Sequence, residues 1–197
     1  ASVSLGGSHS SAIAKDGSLW MWGRNSHGQI GDGTTEDHVT PVKVMDDVVS
    51  VSLGGSYSAA IRSDGSLWAW GLNDRGQLGD GTAEDRGTPV KVMDGVASVS
   101  LGASHSAAIK QDGSLWTWGD DGSGKLGDGT TEHRGTPVKG MDGVASVSLG
   151  EWHSAAVKSD GSLWTWGGNG DGQLGYYNGG YSCGTPTERM DGVAVPS

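Results

Sequence analysis

The sequence predicts an all-β fold: a β-propeller built of four-stranded antiparallel blades, with four blades per chain. Three observations carry that expectation. The 197-residue chain repeats itself every 48 residues, each repeat holds four short strand patterns, and no helical periodicity appears anywhere. Composition agrees, with 37 Gly beside 9 Trp, no Phe and 34% hydrophobic residues. A disordered Gly-rich chain lacks the large apolar groups that offset chain entropy, whereas this one concentrates its apolar surface in a few big side chains.

Strand one is the alternating "SVSLG" at Ser2, Ser50, Ser98 and Ser146, with Val and Leu on one face and Ser on the other. Strand two follows as "HSSAI", "YSAAI", "HSAAI" and "HSAAV", and the Asp-Gly after it (Asp16-Gly17 and equivalents) reads as a two-residue hairpin. Strand three is "LWxWG". Strand four carries "TPVKV" at Thr40, Thr88 and Thr136 and a related segment at Thr185, its Pro suited to a sheet edge. The last step is 49 residues, so the fourth unit carries one inserted residue. The units are therefore a single repeat domain, 1–197, with blades over 2–49, 50–97, 98–145 and 146–197. A β-solenoid is the competing architecture, but its rungs are usually shorter and lack repeated tight hairpins.

In strand three both Trp project to one face and Leu to the other. Trp20, Trp22, Trp68, Trp70, Trp116, Trp118, Trp164 and Trp166 are accordingly expected in the core. Each buried Trp hides about 150–250 Å², worth at most about 4–6 kcal/mol.

The run "LWxWGxNxxGQLGDGT", then "TPVKV", then "SVSLGxxHSAAI" resembles the repeat of the regulator of chromosome condensation family, over essentially the whole chain. The resemblance implies a seven-bladed propeller. Its members include a guanine-nucleotide exchange factor, a plant ultraviolet-B receptor and a secreted β-lactamase-inhibiting protein. A shared fold does not transfer those activities. The receptors' Gly-Trp-Arg-His-Thr motif has no match in "GGSHS", "GGSYS", "GASHS" and "GEWHS". The wedge and basic surface of the exchange factor also lack a counterpart here.

Several motifs mislead. "GDDGSGKL", Gly119 to Leu126, approaches a phosphate-binding loop but lacks the closing Ser/Thr and the helix, and its Lys125 is Gln29, Gln77 and Gln173 in the sibling units. Gly170, Gly172 and Gly175 spell GxGxxG without a βαβ unit. His9, His105 and His153 share one repeat phase whose fourth member is Tyr57; structural histidines bonded to backbone are expected there, not a metal ring. His27, His38 and His133 read as unpaired, solvated loop residues. The Asp-rich GDGT loops lack the donor pattern of a calcium loop. No catalytic constellation emerges, so no enzyme activity, cofactor or metal is expected. A net charge of −10 argues against nucleic acid, and no apolar run is long enough for a membrane span. One cysteine, Cys183, excludes an intrachain disulfide and leaves the compartment open, a secreted or bacterial cell-surface setting being favoured.

Variation among the units falls in the tetrads "RNSH", "LNDR", "DDGS" and "GNGD" and in the stretch before Thr-Pro. In unit four that stretch becomes "GYYNGGYSCG". Loops after strands one and three leave an antiparallel blade on the same side, which places Glu151, Trp152, Tyr176, Tyr177, Asn178 and Tyr181 on one face. Trp and Tyr are the side chains enriched in interface hot spots. Capping of a terminal repeat is an equally natural use of the tyrosines. The leading expectation is a non-enzymatic binding or scaffold propeller that engages a protein through this face. A carbohydrate-binding propeller and a shortened repeat array without a ligand are the alternatives. Four units are too few for the family's ring, which leaves a compact four-bladed ring, a fragment of a longer chain, or a head-to-tail homodimer of eight blades.

Overall fold

A computed structural model describes residues 2–176 and 181–195. Every regular element among them is a strand, and the sixteen strands form four antiparallel sheets. The first contains β1 (Ser2–Leu5), β2 (His9–Ile13), β3 (Leu19–Gly23) and β4 (His38–Met45); the second β5 (Val48–Leu53), β6 (Tyr57–Arg62), β7 (Leu67–Gly71) and β8 (Arg86–Met93). The third contains β9 (Val96–Leu101), β10 (His105–Lys110), β11 (Leu115–Gly119) and β12 (Arg134–Met141); the fourth β13 (Val144–Leu149), β14 (His153–Lys158), β15 (Leu163–Gly168) and β16 (Ser182–Met190). Each sheet runs in chain order, so the Pro-bearing fourth strand is an edge. Strand one of each blade touches strand one of the next, which makes a propeller arc.

The Asp-Gly hairpins differ in one detail from the sequence expectation. Ala14 N donates to Ser18 O at 2.9 Å and Gly17 takes φ +83°, which makes a three-residue loop closed by a left-handed Gly rather than a two-residue turn. The extra residue has a use. Asp16 Oδ1 accepts Ser18 N and Ser18 Oγ at 3.0 and 2.6 Å, and Ser18 Oγ accepts Trp20 Nε1 at 2.9 Å. The same relay recurs at Asp64-Ser66-Trp68, Asp112-Ser114-Trp116 and Asp160-Ser162-Trp164.

These relays divide the eight tryptophans into two classes. The first of each pair is tied to its own hairpin and stays partly exposed. The second is the keystone between blades. Trp70, Trp118 and Trp166 are fully buried, and their Nε1 donate to Gln29 O, Gln77 O and Lys125 O of the preceding blade at 2.8–2.9 Å. Gly31, Gly79 and Gly127 make the room: a Cβ on Gly79 would sit 2.7 Å from Trp118 Nε1. Trp22 has the same place in the first blade, where none of the described residues covers it as a preceding blade does, and it is only partly buried.

The three apolar clusters fill the three junctions between successive blades. Leu53 is 6% exposed against the first blade, whereas its equivalent Leu5 is 74% exposed. At the outer end of each junction Gly28, Gly76 and Gly124 approach the backbone of Gly87, Gly135 and Gly184. Val39 stands where those three glycines stand and is 96% exposed.

Candidate interaction face

The loops after strands one and three are sewn together in every blade. Arg24 N donates to Ser8 O, Leu72 N to Ser56 O, Asp120 N to Ser104 O and Gly168 N to Trp152 O, at 2.7–3.0 Å. They share one face, as the antiparallel topology requires. Near the axis of that face lies a largely apolar cleft of about 320 Å³, lined by Leu5, Leu53, Leu101, Leu149 and glycine backbone, with Glu151 among its lining residues.

Trp152 is 50% exposed on this face and yet held in place. The fully buried Lys125 of the preceding blade places its Nζ 4.5 Å from the centre of the indole ring and 2.6 Å from Asp120 Oδ2. Asp120 is fixed in turn by Ser104 Oγ at 3.1 Å and Gly122 N at 3.1 Å. Burial raises the Asp120 pKa, but the bonds from Lys125 and Gly122 outweigh it, so the carboxyl sits below its ordinary range. Gly168 completes the set, because a Cβ there would lie 3.2 Å from Trp152 Cβ. The sequence does not mark Asp120, Lys125 and Gly168 as site residues: Lys125 departs from a Gln shared by the other three units, as Trp152 departs from a shared Ser, but Asp120 and Gly168 hold one repeat position that differs in all four units.

The tyrosines separate. Tyr181 is 85% exposed and its carbonyl accepts Asn169 N at 2.7 Å, one residue from the Gly168–Trp152 bond. The Tyr176 ring instead stacks against the Arg189 guanidinium at 3.6 Å, and Arg189 Nε reaches Thr165 Oγ1 at 3.0 Å. Tyr177 and Asn178 lie outside the described residues. Cys183 is partly buried, which raises its thiol pKa, but bonds with Thr187, Tyr176 and Thr185 prevail and bring it down to about 7.

The histidines need correction. His9 Nε2 and His105 Nε2 bond to the side chains of Ser58 and Ser154 in the following blade at 2.9 and 3.1 Å, not simply to backbone. Burial lowers their pKa to about 4 for His9, against an opposing backbone bond with Tyr57, and to about 3 for His105, where the nearby Lys125 adds to the effect. Tyr57 does the same work from the second blade, its OH donating to His105 O at 2.6 Å. The loop histidines are paired rather than free: His27 Nδ1 lies 3.0 Å from Asp85 Oδ2, His38 Nε2 lies 2.7 Å from Asp32 Oδ2, and His133 Nε2 lies 3.0 Å from Arg75 Nη1. The first and last of these join neighbouring blades. Among the described residues no three His, Cys, Asp or Glu converge as a metal site would require.

The sequence model described as the RCC1-like domain matches residues 1–195. The Ultraviolet-B receptor UVR8 of Arabidopsis thaliana is 42% identical over 43 residues, which is 22% of this chain and 10% of the receptor. The structure of Kap60 bound to yeast RCC1 (Prp20) aligns at a TM-score of 0.86 with 23% identity, covering 96% of this chain and 48% of that one. Human WBSCR16 aligns at 0.84 with 23% identity, covering 94% and 50%. The chain thus spans about half the length of the solved structures it matches and a tenth of the curated relative. At these identities the structural likeness establishes the fold.

Proposed function

We propose, for a chain that belongs to the RCC1-like domain family, the role of a non-enzymatic propeller that binds a protein partner through the face carrying Glu151, Trp152 and Tyr181. The observation that carries this reading is the support beneath Trp152. An indole half open to solvent, held by a buried ammonium that is itself held by a carboxylate, is a preorganised anchor. The other three blades fill the Lys125 position with neutral Gln, so the buried charge is not needed to join two blades. Yeast Prp20p, which is 23% identical to this chain, has binding properties to Gsp1p and histones, and a protein partner is what we propose here by analogy.

A lectin role is less well supported. Sugar-binding propellers repeat their aromatic site from blade to blade, and the exposed aromatics of this face belong to the fourth blade alone. Probing a protein array and a glycan array with the chain and its Trp152→Ala variant tests the choice. Protein signals that vanish in the variant are expected; glycan signals lost in the variant would overturn the reading.

Self-association is a second reading, favoured by first-blade apolar side chains that none of the described residues covers. Leu5, Val3 and the partly covered Trp22 present the surface that the second, third and fourth blades each bury against a predecessor. A head-to-tail dimer of eight blades would cover it. Light scattering decides: a particle that stays at 20.1 kDa at all concentrations excludes the dimer.

A further inference from the structure

One buried position differs among the blades in a way that the fold does not explain. Asn25, Asn73 and Asn169 each close their strand-three loop with both ends of the amide. Their Oδ1 accept Ile30 N, Leu78 N and Leu174 N at 2.9–3.0 Å. Their Nδ2 donate across the loop: Asn25 to Asp32 Oδ1 and Thr34 O, Asn73 to Asp80 Oδ1, Thr82 O and Glu84 O, Asn169 to Tyr176 O. In the third blade the residue is Asp121, fully buried in the same place.

Asp121 keeps one half of that pattern. Its Oδ1 accepts Leu126 N at 2.8 Å. Its Oδ2 occupies the place of the amide nitrogen, facing groups that in the sibling loops are acceptors. The nearest hydroxyl there is Thr130 Oγ1 at 3.5 Å, whose one proton lies toward Asp128 Oδ1 at 2.7 Å. Asp128, the counterpart of Asp32 and Asp80, is already engaged by Thr130 N and Oγ1 at 2.9 and 2.7 Å and by Arg134 Nε at 2.8 Å. An ionised Asp121 therefore sets a carboxylate against acceptors in a buried loop, whereas a protonated one restores a donor where the siblings have N–H. Burial raises its pKa to about 6, the Leu126 and Thr130 bonds and Arg134 opposing and Asp128 reinforcing the rise. The other charged groups nearby are Asp120 and Lys125 on the same loop, and His133 and Glu132 from the entry to β12; Asp121 N donates to His133 Nδ1 at 3.0 Å.

We propose that Asp121 makes this loop a proton-operated latch beneath the Trp152 anchor: protonated, it closes the loop as the sibling asparagines do, and ionised, it loosens it. The loop contains Asp120 and Lys125, so opening it withdraws the support of the indole ring. The latch stands on its own geometry; its effect on binding rests on the protein-binding reading above.

Amide exchange measured by NMR on the whole chain from pH 4.5 to 8 tests this. The protection factor of the Leu126 amide, normalised for intrinsic exchange, should fall by roughly ten- to hundredfold with rising pH. Leu78 and Leu174 should hold steady. Asp121→Asn should abolish the fall, and Asn73→Asp should create one at Leu78. The indole N–H resonance of Trp152 should shift with the same midpoint. A flat Leu126 profile, or a fall that survives in Asp121→Asn, would overturn the latch. A fall at Leu126 with the Trp152 resonance unmoved would overturn its connection to the anchor. All of these are read without a partner, so failure of the binding arrays leaves them unaffected.

Discussion

The three keystone tryptophans and their first-blade counterpart Trp22 allow one substitution to be made at four equivalent positions. Trp118→Ala removes a fully buried indole packed between the second and third blades, and Trp-to-Ala changes in cores cost about 3–5 kcal/mol. The lost hydrogen bond adds little, because Gln77 O keeps its bond from Ser106 Oγ at 2.7 Å and is not orphaned. Trp70 and Trp166 sit in the same arrangement, with Gln29 O also held by Ser58 Oγ and Lys125 O by Ser154 Oγ. A loss of about 4 kcal/mol is expected at each of the three. Trp22 is covered by no preceding blade among the described residues and keeps part of its ring in solvent, so Trp22→Ala in this chain should cost about 1–2 kcal/mol. Urea unfolding followed by circular dichroism at low micromolar concentration reads the difference. An equal loss at Trp22 and Trp118 would refute the reasoning, since it would mean that something covers the first blade. A loss under about 1.5 kcal/mol at Trp118 would refute the keystone assignment itself.

The other expectations are narrower. Gly79→Ala should destabilise by about 1–3 kcal/mol, since its φ is +79° and the new Cβ would meet Trp118 Nε1; Gly81→Ala, with a similar φ but 3.7 Å of clearance, should cost less in the same urea assay. Asp16, Asp64, Asp112 and Asp160 are held below their ordinary pKa chiefly by the Ser hydroxyl two residues on. Their contribution is therefore present above the ordinary value of 3.8 and lost as pH falls through the depressed folded value, and changing the four Ser to Ala should flatten the acid limb of a pH–stability curve. Cys183 should be alkylated by iodoacetamide with a rate midpoint near pH 7; a midpoint near 9 would remove the hydrogen-bonding account of its thiol. If two copies dock end to end, Val39→Gly should tighten the association seen by light scattering, because the three internal junctions all have Gly there; unchanged or weaker association would argue against that docking mode.

Much of the architecture was legible because a strand's signal is local. Alternation in "VSVSL", Asp-Gly turns and a Pro in the last strand specify four strands and an edge without reference to the rest of the molecule. The shared side of Trp152 and Tyr181 followed from antiparallel topology alone. What stayed hidden depends on stacking. Trp68 and Trp70 are two positions apart on the same side of one strand, and only the register against the preceding blade makes one a partly exposed residue and the other a keystone. His27 meets Asp85, and Arg75 meets His133, each across 58 residues of chain and a blade boundary, which no local pattern encodes.

Hidden in a different sense were Asp121, which the tetrad comparison contains as one more variable residue, and Lys125, which lies just past the tetrad and reads only as part of a false phosphate-loop likeness. The distinction is energetic. Exposed tetrad residues such as Asp74 and Ser26 change at little cost, whereas a buried ammonium or a buried carboxylate facing acceptors is destabilising unless compensated. Lys125 is compensated, by Asp120 below and Trp152 beside it. Asp121 is compensated only while it holds a proton. The sibling blades keep the same fold with Gln at the first position and Asn at the second, so the fold does not require either departure. Both fall in one loop with Asp120, whose carboxylate pairs with Lys125 beside the face's half-exposed indole. That coincidence ties the stability lost in the third blade to the surface offered by the fourth.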